Sequence, residues 1–242
     1  MKSIIITGAS GEIGSALTKC IATDYEYIAI CGYKNTDALK TLEASVNAEE
    51  TCICKSFVGD IADFNFVSSV INTVASDAGR IDALINNAAI SNIGLLTDVT
   101  PAMWRNIMST NVDSIYNTCH EVVPYMVRQK SGTIINISSV WGLTGASCEV
   151  AYSATKGAVN SFSKALAKEL APSNISVNAV ALGAIDTEMN SHLTATEKAE
   201  LCEEIPYGKM AAPEEAATFI KNILSMPSYF TGEVVKFDGG WI

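Results

Sequence analysis

Tyr152 and Lys156 stand four residues apart, and the hydroxyl of Ser139 lies thirteen residues upstream. In a helix, residues i and i+4 share a face, so the phenol and the ammonium would sit side by side. At a separation of about 4 Å and an effective dielectric of about 20, their attraction is roughly 4 kcal/mol, about three pKa units in favour of the phenolate. A helix beginning near Ser147 would bring its positive dipole end close and add roughly 0.3–1 kcal/mol in the same direction. A tyrosine that starts near ~10 then approaches neutrality, where a proton donor works best. These parts suit carbonyl reduction. As hydride passes from a nicotinamide to the carbonyl carbon, Tyr152 would protonate the oxygen, Ser139 would hold it, and Lys156 would tune the phenol and reach ribose hydroxyls. Taken alone, the spacing equally fits an exposed tyrosine and a solvated lysine on a surface helix.

A second pattern concerns anion binding. Thr7-Gly8-Ala9-Ser10-Gly11-Glu12-Ile13-Gly14 follows an apolar run and leads at once into a helical stripe. Unpaired N–H groups at a helix start face whatever anion sits there, most simply a pyrophosphate. Gly8 would permit the tight turn, Gly11 a close approach to phosphate, and Gly14 close packing of helix on strand. A sharp strand-to-helix turn with no ligand would read the same way. Asp60, after the third apolar run, is either a partner for an adenine amino group or a turn residue. Asn86-Asn87-Ala88-Ala89 ends the fourth run with two amides and two small residues, a pattern that bonds across neighbouring loops and leaves room for a flat ligand.

Seven short runs should form the strands that position these groups: Ser3–Ile6, Tyr27–Cys31, Thr51–Phe57, Ala83–Ile85, Thr133–Ile137, Ser176–Ala181 and Val234–Phe237. Several are apolar at consecutive positions, as a strand buried on both faces must be. Between them Ile13, Leu17 and Ile21 form one helical stripe, and Phe162, Leu166 and Leu170 another. The alternation predicts a doubly wound α/β fold of the Rossmann type, in one domain over residues 1–242, with ligand at the carboxyl ends of the strands. The excess of 26 acidic over 16 basic side chains, a formal charge of −10, argues against nucleic acid or an anionic membrane surface as partner. An N-terminus that reads straight into a strand leaves no room for a signal peptide. The seven cysteines are scattered, with Cys52 and Cys54 placed to share one strand face. No zinc-type spacing accompanies them, so no metal is expected and a reducing cytoplasm is the simpler location. His120 and His192 have no evident partner.

Taken in order, Thr7-Gly8 to Gly14, Asp60, Asn86-Asn87-Ala88, Asn111, Ser139, Tyr152-Ser-Ala-Thr-Lys156 and Thr231-Gly232 to Asp238-Gly239-Gly240 resemble the short-chain dehydrogenase/reductases along the whole chain. The resemblance implies a seven-stranded parallel sheet, a nicotinamide dinucleotide, a homotetramer, and a catalytic tetrad of Asn111, Ser139, Tyr152 and Lys156. In it Asn111 holds a water that relays protons to Lys156. It further implies cofactor contacts from Gly8, Ser10, Gly11, Glu12, Ile13, Tyr33, Lys34, Asp60, Ile61, Asn87, Ala88, Tyr152, Lys156, Gly183, Ile185 and Thr187. Ile185 would meet the carboxamide through its backbone, and Thr187 would lie near the phosphates. Two positions depart from the family pattern. Glu12 stands where a small residue is usual, and its side chain is expected to turn to solvent. Leu182 replaces the usual proline before Gly183, which should loosen the loop that follows.

The second run ends Cys31-Gly32-Tyr33-Lys34 with no acid to bind ribose hydroxyls, and Lys34 could meet a 2′-phosphate, so NADP(H) is favoured over NAD(H). The nearest general likeness is to 3-oxoacyl-carrier-protein reductases. Docking an acidic carrier needs a basic patch, for which Arg128 and Lys130 offer part. Ser139-Val-Trp141-Gly142 and Gly145 to Tyr152 look like reductases acting on the 5-aminopentanone group of translation elongation factor P. There Glu149, one turn before Tyr152, could face a cationic tail, or simply favour a helix N-terminus. The substrate would thus be a small-molecule or protein-attached ketone. A segment from Met189 to Tyr207, rich in glutamate, would form the lid. A nucleotide-binding scaffold or sensor without turnover is the alternative of another class. Met103, Trp104, Ile107, Val159, Phe162 and Leu166 fit either a subunit interface or the core.

Overall fold

In the computed structural model of the chain, residues 1–191 and 193–242 are described, and His192 lies outside the described residues. Among these residues the strands are β1 (Ser3–Thr7), β2 (Tyr27–Gly32), β3 (Ile53–Val58), β4 (Ala83–Asn86), β5 (Gly132–Ser139), β6 (Ile175–Leu182) and β7 (Val234–Phe237). All pair in parallel, in the order β3-β2-β1-β4-β5-β6-β7. The expected doubly wound, seven-stranded Rossmann-type sheet is therefore present. Its order reverses between β1 and β4, and a crevice opens there at the carboxyl ends of the strands.

Alternate side chains of each strand feed opposite layers. Ile4, Ile6, Ile28 and Ile30 pack with Leu17 of α1 (Glu12–Cys20), Leu39 of α2 (Thr36–Asn47) and Ile220 of α9 (Pro213–Leu224). Ile5, Ala29 and Leu84 face the other way, onto Val67 and Ile71 of α3 (Phe64–Ala78), Ile115 of α5 (Ser114–Gln129) and Val159 of α7 (Val150–Leu170). The shorter helices are α4 (Pro101–Met108), α6 (Trp141–Thr144) and α8 (Ala195–Glu204). A leucine such as Leu17, fully buried, contributes enough that truncation to alanine should cost about 2–5 kcal/mol. Both stripes read from sequence face the core in part: Leu17, Ile21 and Leu170 are buried, whereas Ile13, Phe162 and Leu166 are half-buried. Ile107 and Val159 are core residues, while Met103 and Trp104 stay exposed.

Two boundary expectations need correction. β3 begins at Ile53, so Cys52 precedes the strand, although it packs half-buried against the same cluster that buries Cys54. The helix that carries Tyr152 starts at Val150 rather than near Ser147, because Cys148 takes a left-handed φ of 63° and Glu149, at φ −129° and ψ 36°, is not helical. Leu182 closes β6 in register with Ser139 and Phe237, its carbonyl accepts Val140 N–H at 2.9 Å, and Gly183 N–H donates to Phe237 O at 2.9 Å. No helix among the described residues is long and apolar enough to cross a membrane.

Candidate active site

The turn after β1 is locked to the end of β4. Thr7 Oγ1 accepts the N–H groups of Asn87 and Ala88 at 3.0 and 3.1 Å, and Asn87 Nδ2 donates to the carbonyls of Thr7 and Gly8, both at 3.1 Å. Gly8 has φ 66°, and a Cβ there would come within 2.7 Å of Ala88 Cα. A Cβ on Gly14 would lie 2.4 Å from Gly8 O, so α1 can approach the turn only as glycine. Gly11 differs: its Cβ would meet only Gly8 O, at an ordinary 3.5 Å. Gly11 is the N-cap of α1 and supplies no side-chain cap, so no side chain takes the amides of Glu12, Ile13 and Gly14 at this helix start. Ser10 and Ile13 flank it half-buried. A cavity of about 740 Å³ opens beside this turn between Ser10, Gly11, Glu12, Lys19, Asp186 and Thr218. Neither Tyr152 nor Lys156 lines it.

The other nucleotide-side candidates surround the same crevice. Tyr33 and Lys34 are exposed beyond β2, ahead of the Asn35 cap of α2, with no carboxylate at the strand end. Asp60 Oδ1 accepts Ala62 N–H at 2.9 Å, so that oxygen serves the turn, while Asp63 caps α3. Ile61 is buried, and its carbonyl and that of Ala62 are held by Asn117. Beyond β6, Gly183 has no room for a side chain, since a Cβ would fall 2.8 Å from Asp238 Cα. Ile185 is buried and bridges to Ala211. Its carbonyl accepts Asn190 Nδ2 at 2.7 Å and Thr187 Oγ1 at 3.4 Å, so both neighbours fix the backbone expected to face a carboxamide. Glu12 is exposed as expected but does not end in solvent: its Oε2 accepts Glu188 N–H at 2.7 Å, tying α1 to the start of the lid segment.

Around the reacting hydroxyl the burial is severe. β5 ends in Ser139, whose Oγ accepts Trp141 N–H at 3.2 Å and keeps its own proton to donate. Tyr152, third residue of α7, is 8% exposed, and Lys156 is 3% exposed one turn on. Lys156 Nζ donates to Ile137 O at 2.7 Å and lies 5.5 Å from the centroid of the Tyr152 ring. Burial pulls the Lys156 ammonium down to about 8. Tyr152 is pushed above its ordinary value, first by burial and then by the Glu149 carboxylate, while the nearby Ser139 hydroxyl draws it the other way. Burial thus opposes the fall toward neutrality expected from spacing, because the spacing argument counted charge attraction and left out the loss of hydration.

Asn111 is buried in a π-helical turn, Ser109–Asp113, between α4 and α5. Its amide clamps the Ile90 backbone, donating to Ile90 O and accepting Ile90 N–H, both at 2.8 Å, and it donates to Thr155 Oγ1 at 3.1 Å. Both amide hydrogens are thus engaged within the protein, and a water relay would have to use another atom of Asn111. Thr155, Ser91, Asn190 and Trp241 were missed by sequence reasoning. Thr155 stood inside the Tyr152–Lys156 motif and could have been found there. Ser91 Oγ donates to Glu149 Oε2 at 2.8 Å, a pairing across 58 residues that no local pattern signals.

The family model for short chain dehydrogenase matches residues 2–198. The chain belongs to the short-chain dehydrogenase family. It is 39% identical over 241 residues to an uncharacterized oxidoreductase, YmfI, of Bacillus subtilis, covering 99% of this chain and 98% of that protein. It is 37% identical over 243 residues to the 3-oxoacyl-[acyl-carrier-protein] reductase FabG of Chlamydia trachomatis, covering 99% and 96%. With FabG of Thermotoga maritima it shares 35% identity over 242 residues, covering 100% and 98%. This short-chain dehydrogenase is thus an oxidoreductase of a family that uses a nicotinamide cofactor. Its uncapped α1 N-terminus, the open space above Gly11 and the glycine-only packing of Gly8 and Gly14 fit such a group. The remaining short-chain dehydrogenase features concern the far side of the site. Arg128 and Lys130 are exposed at the amino end of β5, seven residues or about 23 Å along the strand from Ser139. His120, given no partner from sequence, lies 3.0 Å from Glu121.

Proposed function

We propose that this short-chain dehydrogenase reduces a ketone to a secondary alcohol with NADPH. The observation that carries the reading is the geometry of buried Tyr152, with buried Lys156 5.5 Å from its ring centroid and the Ser139 hydroxyl nearby at the carboxyl end of β5. The bound cofactor supplies the hydride. Gly8, Ser10, Gly11, Glu12 and Ile13 would hold its pyrophosphate through their backbone, Asp60, Ile61, Asn87 and Ala88 would flank the adenosine, and Gly183, Ile185 and Thr187 would flank the nicotinamide end. Tyr152 then gives its proton to the carbonyl oxygen while Ser139 donates a hydrogen bond to it. The Lys156 ammonium, charged below about pH 8, favours the negative charge that passes through the phenol. Asn111 positions Ile90 and Thr155 around this group.

Exposed Lys34 and the missing acid after β2 support NADP(H) over NAD(H). The likeness to FabG supports a 3-oxoacyl-type ketone. The distance of Arg128 and Lys130 from Ser139 along β5, with the net charge of −10, weighs against an acidic carrier docking on this face of a single chain. A second reading has its own support. Glu149 is fixed by Ser91 and lies near enough to Tyr152 to raise its pKa, so a carboxylate faces the reacting group and suits a cationic ketone such as a protein-attached 5-aminopentanone. Exposed Met103, Trp104 and Tyr116 on α4 and α5 support a homotetramer.

The test is initial-rate reduction with NADPH and with NADH against an acetoacetyl thioester, a neutral cyclic ketone and an aminoketone. Preference for NADPH with turnover of at least one ketone is expected. A clear preference for NADH overturns the cofactor assignment. Cofactor binding without turnover of any of them would favour the scaffold or sensor.

A further inference from the structure

The segment after β7 forms a hook built almost entirely from backbone bonds to one carboxylate. Asp238 Oδ1 accepts Gly240 N–H at 3.1 Å, Oδ2 accepts Ile242 N–H at 3.2 Å, and the Asp238 carbonyl accepts Trp241 N–H at 3.2 Å. Lys236 pairs with Asp238 at 3.6 Å and donates to the Ile242 carbonyl. Gly239 and Gly240 have φ of 64° and 81°, left-handed values that only glycine adopts freely, so the hook is tight. It lies between the loop that follows β6 and the segment that ends at Tyr207. Asp238 lies against Gly183, and Gly239 accepts Tyr207 N–H at 3.1 Å where the lid segment returns.

The hook delivers one large side chain. The Trp241 ring meets Trp141 edge-on, with centroids 4.8 Å apart at 63°. Trp141 in turn donates its amide to Ser139 Oγ and packs its ring on the cluster of Ile107, Ala151 and Tyr152. Every bond that holds the hook at position 241 uses the backbone amide, which any residue but proline would supply, so the indole is not needed to form the turn. The side chain is half-buried and, through Trp141, stands in one chain of contacts with the cluster around Tyr152. Opposite in character, the pair Ser91 and Glu149 supplies the polar side of the same neighbourhood.

We infer that Trp241 is a specificity-determining residue, closing an aromatic wall with Trp141 against which the substituent of the ketone lies, and that it selects flat or aromatic substituents over small aliphatic ones. The inference rests on the proposed ketone reduction. It is tested by comparing an aryl ketone such as acetophenone with cyclohexanone in the wild type, Trp241→Ala and Trp241→Phe, with the NADPH Kd and Tm measured on each. Offset or edge-to-face contacts of one ring are worth enough that Trp241→Ala should raise KM for the aryl ketone about five- to ten-fold relative to cyclohexanone. The kcat, NADPH Kd and Tm should hold, and Trp241→Phe should restore most of the preference. Unchanged KM for both ketones, or equal losses on both with a lower Tm, would overturn it. If the wild type turns over neither ketone, the reduction reading fails by itself. The wall is then judged by saturable quenching of tryptophan fluorescence on titrating acetophenone into the NADP⁺-loaded protein. Quenching lost in Trp241→Ala but kept in Trp241→Phe supports the wall, and any other pattern refutes it.

Discussion

The two banks of the crevice are held in different ways. On the cofactor bank, the side chains of Thr7 and Asn87 bond to the backbone of the neighbouring turn, and Gly8 and Gly14 leave less space than one methyl group needs. On the substrate bank, loops meet through the outer atoms of half-buried or exposed side chains: Ser91 with Glu149, Trp141 with Trp241, Lys198 with Asp186. This clasp of side chain to backbone depends on two particular residues, Thr7 and Asn87, and is intolerant of added volume at its glycines. A side-chain clasp can be rewritten one residue at a time. The same proton-transfer machinery can thus be combined with different substrates without disturbing the nucleotide site.

This contrast is most sharply exposed at the tyrosine between the banks. Tyr152→Phe should lower kcat for ketone reduction by about 10²–10⁴-fold while leaving dinucleotide affinity within a few-fold, read by NADPH oxidation and by titration calorimetry. Retained turnover would remove Tyr152 from the proton path. Next in size, Gly14→Ala should destabilise the fold by about 1–3 kcal/mol or more and abolish cofactor binding, because the new methyl would collide with the backbone of Gly8 and Ala9 and crowd the Asn87 amide. A thermal melt near wild type with normal affinity would show that the cofactor bank yields after all.

Lys156 gives a pH signature. Folded, it releases its proton at about 8, whereas unfolded it does so near 10.5. Between those values the unfolded chain binds more protons, so folding stability gained from this group rises with pH across that window and is at its lowest below 8. Relative to Lys156→Met, the wild type should gain denaturation midpoint from pH 8 to pH 10, and its reduction rate should fall over the same range as the ammonium is lost. Parallel pH curves for the two proteins would contradict the burial argument. The smallest effect is expected at Glu12, a carboxylate that reaches from the cofactor bank to Glu188 at the start of the lid segment. Because the pair is exposed, Glu12→Ala should change NADPH affinity less than ten-fold. A larger gain would mean that the carboxylate opposes the phosphates.

Much of the frame could be read directly, because strands such as Ile4-Ile5-Ile6 are buried on both faces and say so by being apolar throughout. The strand ends could not, since β5 runs on through Ser138 and Ser139, whose polarity resembles a loop. The tetrad was legible as residue types but its electrostatics were not. Spacing announces the attraction of Tyr152 and Lys156 and is silent about burial, which depends on what the rest of the chain covers. Asn111 shows the same limit: its sequence neighbourhood gives no hint of the π-turn that aims it at Ile90. Buried polar links such as Asn86 to Asn136, and Asn136 to Ser163, join residues 50 and 27 positions apart and leave no periodic trace.

The order of the sheet also bears on how the molecule comes into being. β1 precedes the other strands in the chain yet lies inside the sheet, and its second neighbour, β4, comes some eighty residues later, with Ile4 opposite Ala83. Every strand pair is parallel, so none can close through a hairpin, and each waits for an intervening crossover. Nearly all the pairings are therefore distant in sequence, which predicts slow folding compared with a helical protein of this size. During that interval the apolar run of β1 has one flank unpaired. The growing chain must guard its most aggregation-prone strand for longer than any other, and the chaperone demand of this protein should be greatest before β4 has emerged.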